Sequence, residues 1–440
     1  MASHLSDRQR NDLHKSILDY LYSEGLTKSY EQLREDIPEV ADFTPDPSSP
    51  TSGLLVKKWT SVIRMQRKLM ELESRLAQAQ EELATSSADG VKRTNKDWLP
   101  TSPATRTLVG HRDKINAVSF HPTYSVLASA SVDATVKIWD WETGDLERTL
   151  KGHTKAVSDC DFDSAGKVLA TCSHDLFIKL WNVLEEYTNF ATLRGHEHSI
   201  SSVRFLPGDA RIASSSRDNT VRVWDVQTTH CIKVLRPHED WIRCANPSLD
   251  GRLLLTCSDD HTARIVDPES GAIKIEMRGH DNRVECALFV PGTSVPAVRE
   301  LVAQPATAAS TKLDALAISF AITGSRDKTI KLWDSIRGLC LWTFIGHDGW
   351  VQALAFHPAG THLLSVGDDH TMRTWDLRTG RCTRKLEAHS PFTQCIAWGP
   401  VPKRKAGDGD THADGGAGAE KTLNVVATGG TDQVIKIWCP

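Results

Sequence analysis

One ten-residue phrase, SRDKTIKLWD at 325–334, returns as SVDATVKIWD at 131–140, SRDNTVRVWD at 216–225 and GDDHTMRTWD at 367–376. A chain that repeats itself this closely is assembled from copies of one supersecondary unit, so the period of the repeat restricts the fold more than any bulk property does. Seven histidines head the copies: His111, His153, His196, His238, His280, His347 and His389. They stand 42 or 43 residues apart, except for a step of 67 between the fifth and sixth. That spacing predicts propeller blades of four strands each.

Each copy carries further fixed residues. An Asp follows the His by 22 residues in five copies, a hydroxyl stands four before every Asp, and the Trp position comes six after it. The first copy thus reads His111, Ser129, Asp133, Trp139, and the sixth His347, Ser365, Asp369, Trp375. Imidazole, hydroxyl and carboxylate are also the ingredients of a hydrolase triad. An enzyme needs one such set beside one pocket. Seven equivalent sets, each with an indole donor, suit a buried network that must be fully satisfied to be tolerated. Stretches such as TVKIWD and LASAS alternate as half-buried strands do.

Two irregularities carry expectations of their own. The chain stops at IKIWCP, one strand short of its last blade, while an unassigned strand-like ATRTLV at 104–109 precedes the first His. The early segment is expected to supply the missing outer strand and remove two open edges. The fourth copy has Arg236-Pro237-His238 where Gly-His is usual, and Val266 in place of Trp. Losing the indole costs one hydrogen bond, about 1 kcal/mol, and leaves Asp260 and His238 to pair in a weaker blade. Insertions near 291–317 and 400–421 fall between first and second strands. The second is rich in Gly, Ala and Asp and reads as a disordered solvated loop; its PKRK offers nuclear import as an alternative.

Composition removes other classes. At 440 residues the chain exceeds one ordinary core. A net charge of −4 with nearly balanced acids and bases argues against general nucleic-acid affinity and against a charge bias toward membranes. The first residues are polar and no apolar run approaches the roughly 20 residues a membrane-spanning helix needs, so a soluble, unsecreted protein is expected. The ten cysteines include no C-x-x-C pair. Cys231, Cys340 and Cys382 lie seven after a Trp, and Cys244, Cys286 and Cys395 six after a His, a register that suggests core filling.

Residues 6–37 read as two helices. Ser6 with Gln9 fits a capping box, Leu13, Ile17, Tyr20 and Leu21 share a face, Gly25 is a stop, and Tyr30, Leu33 and Ile37 follow on a second helix. A Pro-rich linker at 38–53 leads to a heptad series over 54–86, with Leu55, Val62, Leu69, Leu76 and Leu83 at spacing seven. A short parallel two-stranded coiled coil is expected, with Lys68 and Glu73 as an interchain pair. A second linker, 87–103, joins it to the propeller at 104–440.

The repeats resemble the WD-repeat family over residues 104–440, and DLHKSILDYLYSEGLTKSYEQL resembles the Lis-homology motif. The order of Lis-homology helices, short coiled coil and seven blades is similar to the lissencephaly or nuclear distribution protein family of cytoplasmic dynein regulators, and looks most like its fungal branch. The resemblance implies an all-β seven-bladed propeller with an N-terminal all-α dimerisation region, without catalysis or cofactor. It implies a homodimer held by residues such as Leu13, Ile17, Leu21, Val62, Leu69 and Leu76. Its implied partners are the dynein heavy-chain motor domain, a nuclear distribution E-type coiled-coil adaptor and microtubule plus-end proteins. Its implied places are the cytoplasm, microtubule plus ends and spindle pole; nucleic acid and membrane insertion are not implied. A second class, a nuclear corepressor or ubiquitin-ligase scaffold, combines the same modules, but here the coiled coil sits directly between them and no substantial basic tract appears.

Positions that vary between copies yet share one face report partners. Three residues after each His the chain reads Lys114, Ala156, Ser199, Trp241, Arg283, Trp350 and Phe392. Arg217 and Arg326 directly precede an Asp, and Arg243 lies beside Trp241. Aromatic and Arg side chains are the preferred anchors of interfaces. The resemblance places motor contacts at Arg217, Arg243, Arg326 and Trp350, and a further one at His370, where the family would have Lys and imidazole would make the contact pH-dependent.

Overall fold

The computed structural model describes residues 7–37, 98–302, 318–401 and 423–440. They fall in two units, one N-terminal to residue 93 and one from there to the end.

In the first unit, helix α1 (Asp7–Ser23) and helix α2 (Thr27–Asp36) are joined by a tight turn. Gly25 takes φ +73°, a left-handed conformation that glycine adopts at no steric cost, and the Leu26 amide donates to the Leu21 carbonyl at 2.9 Å. Leu18 is buried, Ile17 and Leu21 are partly covered, and Leu13, Tyr22 and Leu26 are exposed. α2 buries none of its residues. Among the described residues, no helix is long and apolar enough to cross a membrane. Ser6 and the heptad positions Leu55, Val62, Leu69, Leu76 and Leu83 lie outside the described residues.

The second unit is a ring of seven antiparallel four-stranded sheets. Blade one runs Ile115–Phe120, Val126–Ser131, Thr135–Asp140 and Leu146–Lys151 from the centre outward. The first strand of each blade touches those of its neighbours, and apolar side chains fill the space between successive blades; Ala128, Ile138 and Leu150 of blade one meet Val157, Phe162 and Trp181 of blade two. The ring closes as the strand count predicts. Arg106–Val109 pairs antiparallel with Val434–Trp438, in register from Arg106 opposite Ile437 to Val109 opposite Val434, and completes blade seven. Residues 98–103, read as the end of a linker, also pack on this unit. Trp98 meets Trp398 edge-on at 5.9 Å, and the Arg384 guanidinium donates to the Leu99 and Pro100 carbonyls.

Blade four is present, with Val266 buried in the Trp position. Its two departures prove to be one. In five other blades the tip of the Trp ring lies over the glycine preceding the His, 2.9–3.2 Å from where a Cβ would stand (Gly110, Gly152, Gly195, Gly279, Gly346). In blade four that position is Pro237, bulkier than glycine or than the Ala388 that accompanies Trp438 in blade seven, and the smaller Val266 leaves room for it. The first insertion is helical at its start: α3 (Val295–Val302) buries Val295, Ala297 and Val298 in the core shared by blades five and six. Residues 303–317 and 402–422 lie outside the described residues.

The cysteines divide. Cys395 is buried and Cys244 and Cys286 are partly buried, but Cys340 and Cys382 are exposed. The latter open the outermost strands, where no further strand covers them.

Candidate partner-binding face

The repeated residues form the expected network. In blade one Trp139 Nε1 donates to Ser129 Oγ at 2.8 Å, Ser129 Oγ lies 2.7 Å from His111 Nε2, and His111 Nδ1 lies 2.9 Å from Asp133 Oδ2. In blade six the corresponding distances for Trp375, Ser365, His347 and Asp369 are 2.8, 2.6 and 2.8 Å. A carboxylate can only accept, so Nδ1 carries the ring proton and Nε2 takes the hydroxyl's. Burial pushes the Asp133 carboxyl up, but hydrogen bonds from Thr135, the Arg112 amide and His111 outweigh it and hold the group at about 2. Burial lowers the imidazoles of His111 and His196 despite their carboxylate partners. The connectivity is that of a hydrolase triad, but the hydroxyls of Ser129 and Ser365 are wholly buried beneath an indole N–H. No substrate carbonyl can reach them. In blade four His238 pairs with Asp260 at 2.8 Å and Thr256 at 2.9 Å without an indole.

These networks pin the turns that make up one face of the ring. Just inside that face the register between the first and second strands skips one residue in every blade, at Ile115/Ala117, Ile242/Cys244 and Val284/Cys286 among others. A bulge frees a side chain from the alternation of its strand and re-aims it. The skipped residues are Asn116, Ser158, Ser201, Arg243, Glu285, Gln352 and Gln394.

Two of these, Arg243 and Glu285, are the hub of a charged and aromatic arc across blades three to six. Trp241 meets two guanidinium groups, with Arg243 Cζ 3.7 Å and Arg217 Cζ 5.0 Å from its ring centroid, and its Nε1 donates to Ser201 Oγ at 2.5 Å. Arg243 grips Asp259 through two hydrogen bonds of 2.6 and 3.0 Å and lies 3.6 Å from Glu285. Arg283 reaches Asp259 at 3.2 Å. Glu285 also takes a hydrogen bond from Arg326, whose guanidinium sits 4.3 Å from the Trp350 ring centroid. Burial works against the Arg243 charge, but Asp259 and Glu285 outweigh it and raise its pKa. Beyond the arc, burial raises the Asp368 carboxyl, which accepts a hydrogen bond from Gln352 at 3.0 Å.

The face therefore brings together Arg217, Trp241, Arg243, Arg326 and Trp350. His370 stands apart on blade six, exposed, stacked on Phe392 with ring centroids 5.6 Å apart. Arg243 and Arg326 are not free anchors, as the sequence suggested. They are mostly covered, 14% and 22% exposed, and consumed by Asp259 and Glu285. What they present is a pair of guanidinium groups, held by carboxylates, against which Trp241 and Trp350 lie. Trp350 is 41% exposed and Arg217 is exposed, so these two are the groups most available to a partner. Reading the sequence missed Asp259, Glu285 and Asp368. For the two aspartates a signal was there: the position before the network Asp reads Arg217, Asp259, Arg326, Asp368 in successive blades, an alternation of charge.

Comparison with known proteins agrees with the architecture. Residues 7–40 match the PAC1 LisH domain, and residues 103–140, 144–182, 188–225, 229–267, 307–334 and 338–376 match the WD domain, G-beta repeat. The chain is 43% identical over 384 residues to the nuclear distribution protein PAC1 of Coccidioides posadasii, covering 84% of this chain and 80% of that one. It is 44% identical over 390 residues to nuclear distribution protein PAC1 of Arthroderma otae, covering 84% and 82%. It is 43% identical over 378 residues to nuclear distribution protein nudF of Aspergillus niger, covering 84% and 83%. The helical hairpin, the seven-bladed ring and these likenesses together place the chain in the PAC1/nudF family of LisH and WD-repeat nuclear distribution proteins.

Proposed function

We propose that the protein is a non-catalytic, dimeric regulator of cytoplasmic dynein that serves nuclear distribution by docking the arc of its propeller face on the dynein motor domain. The observation that carries this reading is the chain of contacts from Arg217 through Trp241, Arg243, Glu285 and Arg326 to Trp350. Four of these residues stand where the family's motor contacts fall, and the arc combines preset Arg groups with exposed indole, the composition of an interface hot spot. Docking that favours one motor conformation over another shifts the motor's equilibrium toward it, and this is how microtubule attachment and motility would be modulated.

Dimerisation falls to α1 and α2 with the heptad segment. A two-helix hairpin that leaves Leu13, Tyr22 and Leu26 exposed has apolar surface for a second copy to cover. Two linked propellers gain avidity where the linkers let both engage. The setting is cytoplasmic, with microtubule plus ends and spindle poles as the destinations and a nuclear distribution E-type adaptor and plus-end proteins as the further partners.

The direct test is a pull-down with purified dynein motor domain. Reversing Arg243 would set a third carboxylate against the buried Asp259 and Glu285 and confound folding with docking, so the cleaner variant is Arg217→Asp with Trp350→Ala. Loss of the motor with dimerisation intact is expected; full retention refutes this face as the site. Nuclear enrichment of a fluorescent fusion, with no plus-end or cortical spots, would favour the corepressor or ubiquitin-ligase reading.

A further inference from the structure

Blade four differs from the other six at one more place. Directly beneath the bulge, the residues opposed across the first and second strands are Ala117 and Ala130, Asp159 and Cys172, Ser202 and Ser215, Cys286 and Gly324, Ala353 and Val366, and Cys395 and Gly429. In blade four they are Cys244 and Cys257. Their sulfur atoms are 2.9 Å apart, both thiols are free, and Cys244 Sγ also faces the Ala287 carbonyl of blade five at 3.8 Å. Residues directly opposed in an antiparallel pair have Cα atoms about 4.5–5.5 Å apart, within the span of a disulfide.

We propose that Cys244 and Cys257 are a redox modification site, a dithiol that hydrogen peroxide closes to a cross-strand disulfide. Cys257 is wholly buried, which raises its thiol well above the usual range and keeps it protonated. The first step therefore belongs to Cys244, which is only partly covered. Its sulfur attacks one oxygen of the peroxide: the O–O bond breaks, the S–O bond of the sulfenic acid forms, and the other oxygen leaves with the thiol proton as one water. Cys257 Sγ then attacks that sulfur. The S–O bond breaks, the S–S bond forms, and the hydroxide leaves with the Cys257 proton as a second water. Two electrons pass from the thiols to the peroxide. Arg243 directly precedes Cys244, and Asp259 lies two residues beyond Cys257. The bond would therefore brace the two strands that carry the bidentate pair of the face, in the blade that lacks the indole.

The test is peptide mapping of the full chain after hydrogen peroxide, with free thiols alkylated by iodoacetamide in denaturant. The expected result is a peptide pair cross-linked through Cys244 and Cys257, lost on reduction with dithiothreitol. Cys244→Ser with Cys257→Ser, which copies the Ser202–Ser215 pair of blade three (3.0 Å), should fold and give no such link. Alkylation of both thiols after peroxide has consumed the exposed Cys340 and Cys382 would overturn the proposal, as would a Cys244 link to Cys286.

Discussion

Blade six holds His347, Asp369 and Trp375; the face above blade four holds Arg243, Asp259 and Trp241. The ingredients match: a nitrogen donor, a carboxylate and an indole within contact distance. Their uses do not. In blade six the indole donates inward to Ser365, the carboxylate is capped by the Asp348 amide and Thr371, and the serine is sealed from water. Above blade four the carboxylate grips a guanidinium, and that guanidinium supports an indole lying partly in the open. The first set recurs in every blade except for the one missing indole, while the second occurs at two places only, Arg243 with Asp259 and Trp241 and Arg326 with Glu285 and Trp350. Recurrence marks what a blade requires to exist, and a bulge that re-aims one side chain per blade leaves the face free to differ.

The comparison breaks first if the ring does not depend on closure. Deleting residues 104–109 leaves Val434–Trp438 as an open edge. Calorimetry should show a fall in melting temperature on the order of 10 °C, and an unchanged melt contradicts the closure. Next comes the network itself. Asp369→Ala strands five donors, the buried His347 imidazole, the Asp348 and Thr371 amides, the Thr371 hydroxyl and the Arg373 guanidinium. Urea unfolding should register a loss of about 3 kcal/mol; a negligible loss would deny the network its structural role.

Blade four sharpens the contrast. Val266→Trp restores the indole of the other blades but drives it against Pro237, and should destabilise by about 2 kcal/mol through overpacking. Adding Pro237→Gly should recover most of that, and a double variant no better than the single one would disprove the coupling. The smallest effect is acid sensitivity. The folded pKa values of His111 and His196 are depressed by burial, so the unfolded chain binds protons first. Stability is full above the ordinary imidazole value of about 6.5 and declines as pH falls through it. A further decline should begin below about 4, because Asp133, Asp260 and Asp369 are held below the usual carboxyl range. A melting temperature flat from neutral to strongly acid pH would contradict both.

The scaffold was legible because each element of it recurs. His, hydroxyl, Asp and Trp announce themselves by spacing, and counting strands was enough to assign Arg106–Val109 to blade seven. Lateral partners were harder. Arg243 pairs with Asp259 inside its own blade and Glu285 in the next, so the pairing appears only when equivalent positions are compared around the ring. The exchange of Pro237 and Val266 shows the same limit: each departure is visible alone, but their link is a contact between an indole tip and a glycine. Helix α3 went unread because VPAVRELV is one short apolar stretch inside a Pro-containing insertion. For Val62, Leu69 and Leu76 the heptad spacing is the available support.

The central claim is that scaffold and docking face are separable. The most direct measurement is the affinity for purified dynein motor domain, by interferometry, of the wild type and of Arg217→Asp with Trp350→Ala, each melted in parallel. The expected result is binding weakened by roughly a hundredfold with an unaltered melt, and equal affinity of the two proteins would contradict it.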